Sequence, residues 1–301
     1  MKIASIGINE RGFIGRTQRE MLDYCINKCR ELQSLSPDMM IFPEIVFVMY
    51  PENEPLSYAE FYETALEELK RTAREVSSYL VFNMYEPCEN GEGRYISNFV
   101  INKNGELAGK YRKMYPTKGE MANGVVPGNE VCVVDTEFGR IGIATCFDIG
   151  FRSFWQKLAD LGAKAVVWTS AYDGGKLLDA YAVTYSYWVI SSVRTYRARI
   201  INPAGRTVAE STRWDMLCMA DIDLHMELFH IDDQLPKIHE IRRVLGDKVV
   251  VETLSEDNIF TVSSKDPEWP VERVKKEFGL VSYKEYHEEA LGLRSKAVTF
   301  N

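Results

Sequence analysis

The 301-residue sequence predicts an α/β fold in which sheets and helices pack in layers. Two features of the sequence predict it. Over residues 2–85, apolar strand-like runs alternate with runs of helical periodicity, an order typical of layered α/β folds. Further along, two turn sequences separate strand-like runs and indicate hairpins. Because hairpins place antiparallel strands side by side, we do not expect a purely parallel, doubly wound sheet.

The first five elements follow from apolar periodicity. Residues 2–8 are an apolar run that predicts a buried strand, and residues 39–42 predict a second strand, which Pro43 stops. Residues 17–35 carry apolar side chains at helical spacing and predict a helix. Residues 58–76 repeat that spacing with Glu, Lys and Arg on the polar face, and residues 79–85 return to a strand.

Two hairpins come next. Asn104 and Gly105 separate strand-like runs within residues 98–111, and both positions of such a turn tolerate positive φ. Pro203 and Gly205 lie in a similar turn within residues 200–208.

Around Cys146 the pattern again predicts strands and a helix. Residues 131–135 and 141–145 predict neighbouring strands, residues 154–161 an amphipathic helix, and residues 163–168 another strand. Cys146 thus lies between a strand end and a helix start. Open α/β sheets commonly carry their chemistry at this position.

The C-terminal quarter of the chain differs in composition from the rest. All four histidines lie there, among helical segments at residues 235–244 and 271–278. We expect a main domain over residues 1–222 and a C-terminal extension over residues 223–301, which packs on that domain or on a neighbouring subunit. An independent subdomain is the alternative.

Composition excludes several classes of protein. The chain is 46% hydrophobic and 27% charged, which argues against disorder, and its net charge of −8 argues against binding to nucleic acid. Its six cysteines are scattered, as expected for reduced thiols. We find no secretory pattern and no apolar run of the ~20 residues that a membrane span needs, so we expect a cytoplasmic protein without membrane contact.

Three residues could together perform acyl transfer. A thiol such as Cys146 is a weak nucleophile until a base removes its proton, and the reaction also needs positive charge near the developing oxyanion. Glu44 could be that base and Lys113 that charge, with Glu120 as a second carboxylate. Each residue alone has a simpler interpretation: a core thiol, a solvated carboxylate, a basic surface patch and surface charge.

Taken together and in this order, the motifs resemble those of the carbon–nitrogen hydrolase, or nitrilase, superfamily. The resemblance covers about residues 2–212 and includes both hairpin turns. The matching stretches are Phe42-Pro-Glu44, Tyr111-Arg-Lys113, Pro116-Thr-Lys-Gly-Glu120 and Gly139-Arg-Ile-Gly-Ile-Ala-Thr-Cys-Phe-Asp148.

The resemblance implies a four-layer α-β-β-α sandwich that assembles into homodimers or larger homo-oligomers. It also implies roles for the residues at the matching positions. Glu44 would be the general base, Lys113 the stabiliser of the oxyanion, Cys146 the nucleophile and Glu120 the positioning acid. The backbone N–H of Phe147 would be the second oxyanion donor.

One stretch departs from the family pattern. Many members continue after the cysteine with an aromatic residue, Pro and Glu, whereas this chain reads Phe151-Arg-Ser-Phe154. Cys-Phe-Asp is more similar to amidase branches than to the Cys-Trp-Glu of true nitrilases.

We expect Asp148 and Arg152 to form a structural salt bridge. The aromatic candidates for the substrate pocket are Phe47, Tyr50, Tyr115, Phe151, Phe154 and Tyr172.

We therefore predict hydrolysis of a small amide through a cysteine thioester, with no metal and no cofactor. Hydrolysis of an N-carbamoyl amide or of a nitrile is the alternative within the superfamily. A cysteine–histidine hydrolase is less favoured because no histidine precedes His225, and the spacing of His225 and His230 does not fit a zinc helix motif. A non-catalytic binding protein on the same scaffold is the remaining alternative.

Overall fold

The structure is a computed structural model that describes residues 1–9, 12, 16–47 and 58–298. The chain divides into two compact units, Met1–Ile222 and Asp223–Asn301. None of the helices in the described part of the chain combines the length and the apolar character that crossing a membrane requires.

The first unit contains two sheets and their covering helices. Its strands are β1 (Lys2–Ile6), β2 (Met39–Ile41), β3 (Tyr79–Pro87), β4 (Arg94–Ile101), β5 (Leu107–Arg112), β6 (Cys132–Thr136), β7 (Gly139–Thr145), β8 (Ala165–Ser170), β9 (Trp188–Val193), β10 (Arg199–Ile201), β11 (Thr207–Glu210) and β12 (Leu217–Asp221). Its helices are α1 (Gln18–Leu32), α2 (Tyr58–Val76), α3 (Lys118–Ala122), α4 (Arg152–Asp160) and α5 (Lys176–Tyr185).

The two sheets repeat one topology. The first has the strand order β12-β1-β2-β3-β4-β5, and the second has the order β11-β10-β9-β8-β7-β6. In each sheet three central strands are parallel, β1-β2-β3 in the first and β7-β8-β9 in the second. The flanking strands pair antiparallel, and the turn signals predicted two of these pairs, β4–β5 and β10–β11.

The helices cover the outer faces and the sheets face each other. Apolar side chains of α1 and α2 pack with those of β1 to β4 in one core, which includes Met21, Phe61 and Phe82. On the second sheet, Phe154, Trp155 and Leu158 of α4 are buried, and α5 contacts α4 and β9. The result is the four-layer α-β-β-α arrangement expected from the resemblance.

Local signals in the sequence explain where elements begin and turn. Thr17 and Glu20 form a reciprocal capping box at the start of α1, which satisfies backbone N–H groups that have no acceptor inside the helix. Gly105 has a φ of +74°, and a Cβ there would lie 2.4 Å from the backbone oxygen of Lys70. The hairpin between β4 and β5 therefore requires glycine at this position.

The second unit contains both predicted helices and a sheet that we did not predict. Its helices are α6 (Leu235–Leu245), α7 (Val271–Glu277) and α8 (Tyr283–Val298). Its strands β13 (Glu227–His230), β14 (Val249–Leu254) and β15 (Ile259–Ser264) pair antiparallel in the order β13-β15-β14. Phe229, Ile241, Phe260 and Val274 contribute to its own apolar core.

Candidate active site

Four predicted residues come together just beyond the ends of three strands. Glu44 follows β2, Lys113 follows β5 directly, Cys146 follows β7 directly, and Glu120 is on the short helix α3. We call Glu44, Lys113, Glu120 and Cys146 the site cluster. Both sheets contribute to it, because Glu44 and Lys113 follow strands of the first sheet and Cys146 follows a strand of the second.

Lys113 is the buried centre of the site cluster. Its ammonium donates to Glu44 Oε1 at 2.8 Å and to both carboxylate oxygens of Glu120 at 2.9 Å. The side chains of Lys113 and Glu44 are 0% and 1% exposed, and that of Glu120 is 22% exposed. A lysine is seldom buried this deeply unless its charge is paired, and here two carboxylates pair with it.

The capping box of α3 orients Glu120. The Glu120 N–H donates to Thr117 Oγ1 at 3.2 Å, and Glu120 Oε2 accepts the Thr117 N–H at 2.6 Å. Because the same carboxylate also accepts from Lys113, it is held from two directions. The Thr-x-x-Glu spacing is a sequence signal for this orientation, which the sequence analysis did not use.

Cys146 occupies a strained turn. Its φ of +44° is in the left-handed region, where a non-glycine residue costs about 1–3 kcal/mol and persists only if its surroundings hold it. Trp168 Nε1 donates to the Cys146 carbonyl at 3.1 Å and so helps to hold the turn. Phe147 is the second residue of the 3-10 turn Cys146–Gly150, so its N–H belongs to the first turn, whose donors have no acceptor within the helix.

The Glu44, Ser170 and Lys113 side chains are near enough to the Cys146 thiol to act on its pKa. Burial and the Glu44 charge raise the pKa of Cys146 to about 12, although Lys113 and Ser170 act in the opposite direction. Burial lowers the pKa of Lys113, but the charges of Glu44, Cys146 and Glu120 outweigh burial and raise it. The resting cluster therefore holds a neutral thiol and a charged ammonium.

Comparison with known proteins identifies the family. The carbon-nitrogen hydrolase family model matches residues 2–227. This chain belongs to the carbon-nitrogen hydrolase family. It is therefore an enzyme, a hydrolase of carbon–nitrogen bonds.

Two curated relatives are amidases. The deaminated glutathione amidase of Homo sapiens is 26% identical over 233 residues, which are 67% of this chain and 71% of that protein. The omega-amidase of Homo sapiens is 25% identical over 201 residues, which are 58% of this chain and 72% of that protein. Among solved structures, an amidase from Nesterenkonia sp. has a TM-score of 0.65 at 20% identity and covers 80% of this chain and 95% of that one. This likeness supports the sandwich fold.

In this carbon–nitrogen hydrolase, Asp148 has a role that differs from the predicted salt bridge. Its carboxylate accepts the Tyr111 hydroxyl at 2.7 Å and the backbone N–H groups of Thr145 at 2.8 Å and Tyr115 at 3.1 Å. Among the ion pairs of the described residues, none joins Asp148 to Arg152, so that prediction was wrong. Burial raises the pKa of Asp148 to about 7 despite these donors. The carboxylate instead ties the Cys146 turn to the segment that carries Lys113.

The predicted aromatic pocket residues fall into different environments. Tyr115 and Phe151 stack with ring centroids 3.7 Å apart, and Phe147 meets Phe151 edge-on. Tyr172 is 43% exposed, its N–H donates to the Ser170 hydroxyl, and burial together with the charges of Cys146 and Glu44 raises its pKa to about 12. Tyr50 lies outside the described residues.

Two further aromatic candidates are core residues. Phe47 is fully buried and stacks with Phe82, and Phe154 is 2% exposed and packs against Trp155. Both therefore help to fill the apolar core, as an aromatic residue near a strand end often does.

Ser170 is a site neighbour that the sequence analysis missed. It ends β8, is fully buried, and accepts the Tyr172 N–H on its hydroxyl oxygen at 3.1 Å. Its own proton is then available to the Cys146 sulfur.

Within the described residues, His, Cys, Asp and Glu side chains form no group of three or more that could hold a metal ion.

Proposed function

We propose that this enzyme hydrolyses the carbon–nitrogen bond of a small amide through a thioester on Cys146. One observation carries the proposal: the buried Lys113 ammonium lies between the Glu44 and Glu120 carboxylates, and Glu44 and Lys113 are near enough to Cys146 to act on the pKa of its thiol. A base, a nucleophile and a fixed positive charge are the three parts that acyl transfer needs.

Glu44 is the general base in the first step. Because the pKa of the Cys146 thiol is raised to about 12, little thiolate exists at neutral pH, and attack must be coupled to proton transfer. Glu44 takes the Sγ proton while Sγ forms a bond to the amide carbonyl carbon. The carbonyl oxygen becomes the oxyanion of a tetrahedral intermediate.

The same proton transfer prepares Lys113 for the oxyanion. In the resting cluster two carboxylates oppose one ammonium, and the acceptors of Lys113 are all carboxylate oxygens. When Glu44 becomes neutral, it accepts more weakly from Lys113, and the negative charge reappears on the oxyanion. Lys113 and the Phe147 N–H then donate to that oxygen in a buried environment, where such donors are most effective.

The intermediate collapses in a balanced sequence. The carbon–nitrogen bond breaks, Glu44 returns its proton to the leaving nitrogen, and ammonia or an amine departs from a thioester on Cys146. Water then loses a proton to Glu44 and adds to the thioester carbonyl. The carbon–sulfur bond breaks, the sulfur regains a proton from Glu44, and the acid leaves. Glu120 holds Lys113 throughout.

An amide is the substrate class that the site supports best. The two curated relatives are named as amidases, and a solved structure of the amidase from Nesterenkonia sp. AN1 is a cysteine-to-alanine mutant in complex with butyramide. The Cys-Phe-Asp sequence is also similar to amidase branches of the family.

The free cysteines of the chain fit a reducing compartment, and we propose that the enzyme works in the cytoplasm.

The test is ammonia release by purified enzyme from aliphatic amides, aromatic amides, carbamoyl amino acids and nitriles. An amine assay on N-substituted amides covers the other leaving group. Cys146→Ala should abolish turnover, whereas Cys132→Ala, which removes a partly exposed thiol away from the cluster, should retain it. Turnover of nitriles alone would contradict the amidase assignment, and turnover that survives in Cys146→Ala would contradict the nucleophile.

A further inference from the structure

A buried polar network joins the two sheets behind the site cluster. It consists of four fully buried side chains, Asn83 on β3, Asn98 on β4, Thr145 at the end of β7 and Thr169 on β8, which we call the inter-sheet network. Asn83 and Asn98 are directly paired in the first sheet, and Thr145 and Thr169 are directly paired in the second. The network thus connects two neighbouring strands of each sheet at one level.

The strongest contacts of the network cross between the sheets through Asn98. Asn98 Nδ2 donates to Thr145 Oγ1 at 2.6 Å, and Thr169 Oγ1 donates to Asn98 Oδ1 at 3.0 Å. Asn83 Nδ2 is 3.5 Å from Thr145 Oγ1 and 3.4 Å from Thr169 Oγ1, which are long hydrogen bonds. Because a buried polar group that loses its partner is costly, these bonds fix the local separation of the sheets.

The network also reaches the residues next to the base and the nucleophile. Ile45 follows Glu44 with a φ of +46°, and its N–H donates to Asn83 Oδ1 at 2.9 Å. Cys146 follows Thr145 with a φ of +44°. Both backbones are in a region that disfavours side chains with a Cβ, so both turns depend on their surroundings to keep their shape.

We propose that the inter-sheet network is a set of positioning residues that fixes the distance between the Glu44 carboxylate and the Cys146 sulfur. The inference rests on the proposed function, since it assumes that a proton passes between these two groups. Proton transfer requires hydrogen-bond reach, and a displacement of about 1 Å can cost on the order of 10²-fold in rate. Apolar packing between the sheets lacks the directional constraint that these hydrogen bonds supply.

The test compares isosteric and conservative changes at Thr145. Thr145→Val keeps the shape and removes the hydroxyl that accepts from Asn98, whereas Thr145→Ser keeps the hydroxyl. Ser5→Ala is the matched control, because Ser5 Oγ donates to the Ser191 carbonyl at 2.7 Å and makes a different buried hydrogen bond between the sheets. For each variant we would measure kcat, KM, thermal unfolding, and the rate of Cys146 alkylation by iodoacetamide as a function of pH.

We expect kcat of Thr145→Val to fall by about 10- to 10²-fold with KM nearly unchanged, and its alkylation profile to shift along the pH axis. Thr145→Ser should recover most of kcat, and Ser5→Ala should lose stability without losing turnover. If Thr145→Val does not fold, Thr169→Val removes a bond of the same network and should show the same pattern.

Two results would overturn the proposal. One is a stable Thr145→Val with the kcat and alkylation profile of the wild type. The other is a Ser5→Ala variant that loses as much kcat as Thr145→Val. The loss of kcat would then result from general destabilisation and not from the loss of a specific positioning bond. Alkylation needs no amide, so a wild-type enzyme inactive on every amide would contradict the proposed function while the positioning role was still tested.

Discussion

At the scale of single residues, the site cluster is governed by the balance of charge around Lys113. Burying an ammonium is costly, and Glu44 and Glu120 offset that cost in the resting enzyme. The same pairing leaves the cluster one negative charge in excess, and burial together with this charge keeps the neighbouring thiol protonated. In the proposed mechanism, reactivity depends on moving one proton within the cluster rather than on a preformed thiolate.

Replacing Lys113 should affect turnover and stability together. We predict that Lys113→Met lowers kcat by about 10²–10³-fold, because the oxyanion loses a charged donor. Unfolding free energy should fall by about 3–5 kcal/mol, since Glu44 remains buried without its partner. Steady-state kinetics and denaturant unfolding measure the two effects. Lys110→Met is the matched control, because Lys110 pairs with Glu86 outside the cluster and its loss should leave kcat unchanged.

The pKa of Cys146 should respond in opposite directions to two substitutions. The Glu44 charge raises this pKa and the Ser170 hydroxyl lowers it, so Glu44→Gln should lower the pKa and Ser170→Ala should raise it. The thiolate fraction at pH 8 then rises in the first variant and falls in the second. Site-resolved iodoacetamide alkylation from pH 6 to 11 measures the shift. A shift of both profiles in one direction would contradict this electrostatic assignment.

At the scale of elements, two capping boxes of the same type have different roles. The box of Thr17 and Glu20 starts α1 at the surface, whereas the box of Thr117 and Glu120 starts α3 and also delivers a carboxylate to Lys113. A short helix such as α3 is marginal by itself, so its cap matters more to its geometry than the cap of a long helix does.

Removing the two caps should separate stability from turnover. Thr17→Ala and Thr117→Ala should each cost about 0.5–2 kcal/mol of unfolding free energy. Only Thr117→Ala should also lower kcat, by up to about tenfold, because Glu120 loses its backbone bond to Thr117 Oγ1. Parallel thermal unfolding and kinetics of the two variants would check this. Equal turnover in both would mean that Lys113 alone orients Glu120.

The elements were more predictable than the contacts between them. Apolar periodicity predicted the strands and helices around residues 2–85, and motif order predicted which side chains meet at Lys113. Periodicity did not predict β14, because a short apolar run fits a strand or a buried helix segment equally well. It also could not predict that Asn98 meets Thr145, since that contact depends on how two sheets lie against each other.

At the scale of the whole molecule, exposed apolar side chains suggest assembly. Leu291, Leu293 and Val298 on α8 are 62%, 68% and 60% exposed, so more than one side of this helix carries apolar surface, and exposed apolar surface often marks a contact with another chain. We propose that the enzyme is a homodimer or a larger homo-oligomer.

Light scattering on the purified protein would test assembly. We predict a molar mass at least twice that of one chain, because burying the exposed leucines against a second copy lowers the free energy of the assembly. Leu291→Lys combined with Leu293→Lys should reduce that mass. Leu107→Lys, which changes an exposed leucine on β5, should not. A wild-type protein with the mass of a single chain would contradict the proposal.

The repeated sheet topology makes the two halves of the first unit mutually dependent. Glu44 and Lys113 belong to the first half and Cys146 to the second, while β12 from the second half pairs with β1 at the edge of the first sheet. A fragment that ended within residues 123–131 would lack the thiol and would leave β1 as an open, aggregation-prone edge. Activity from two such fragments would require complementation, as in a split enzyme whose reassembly reports on an interaction between fused partners.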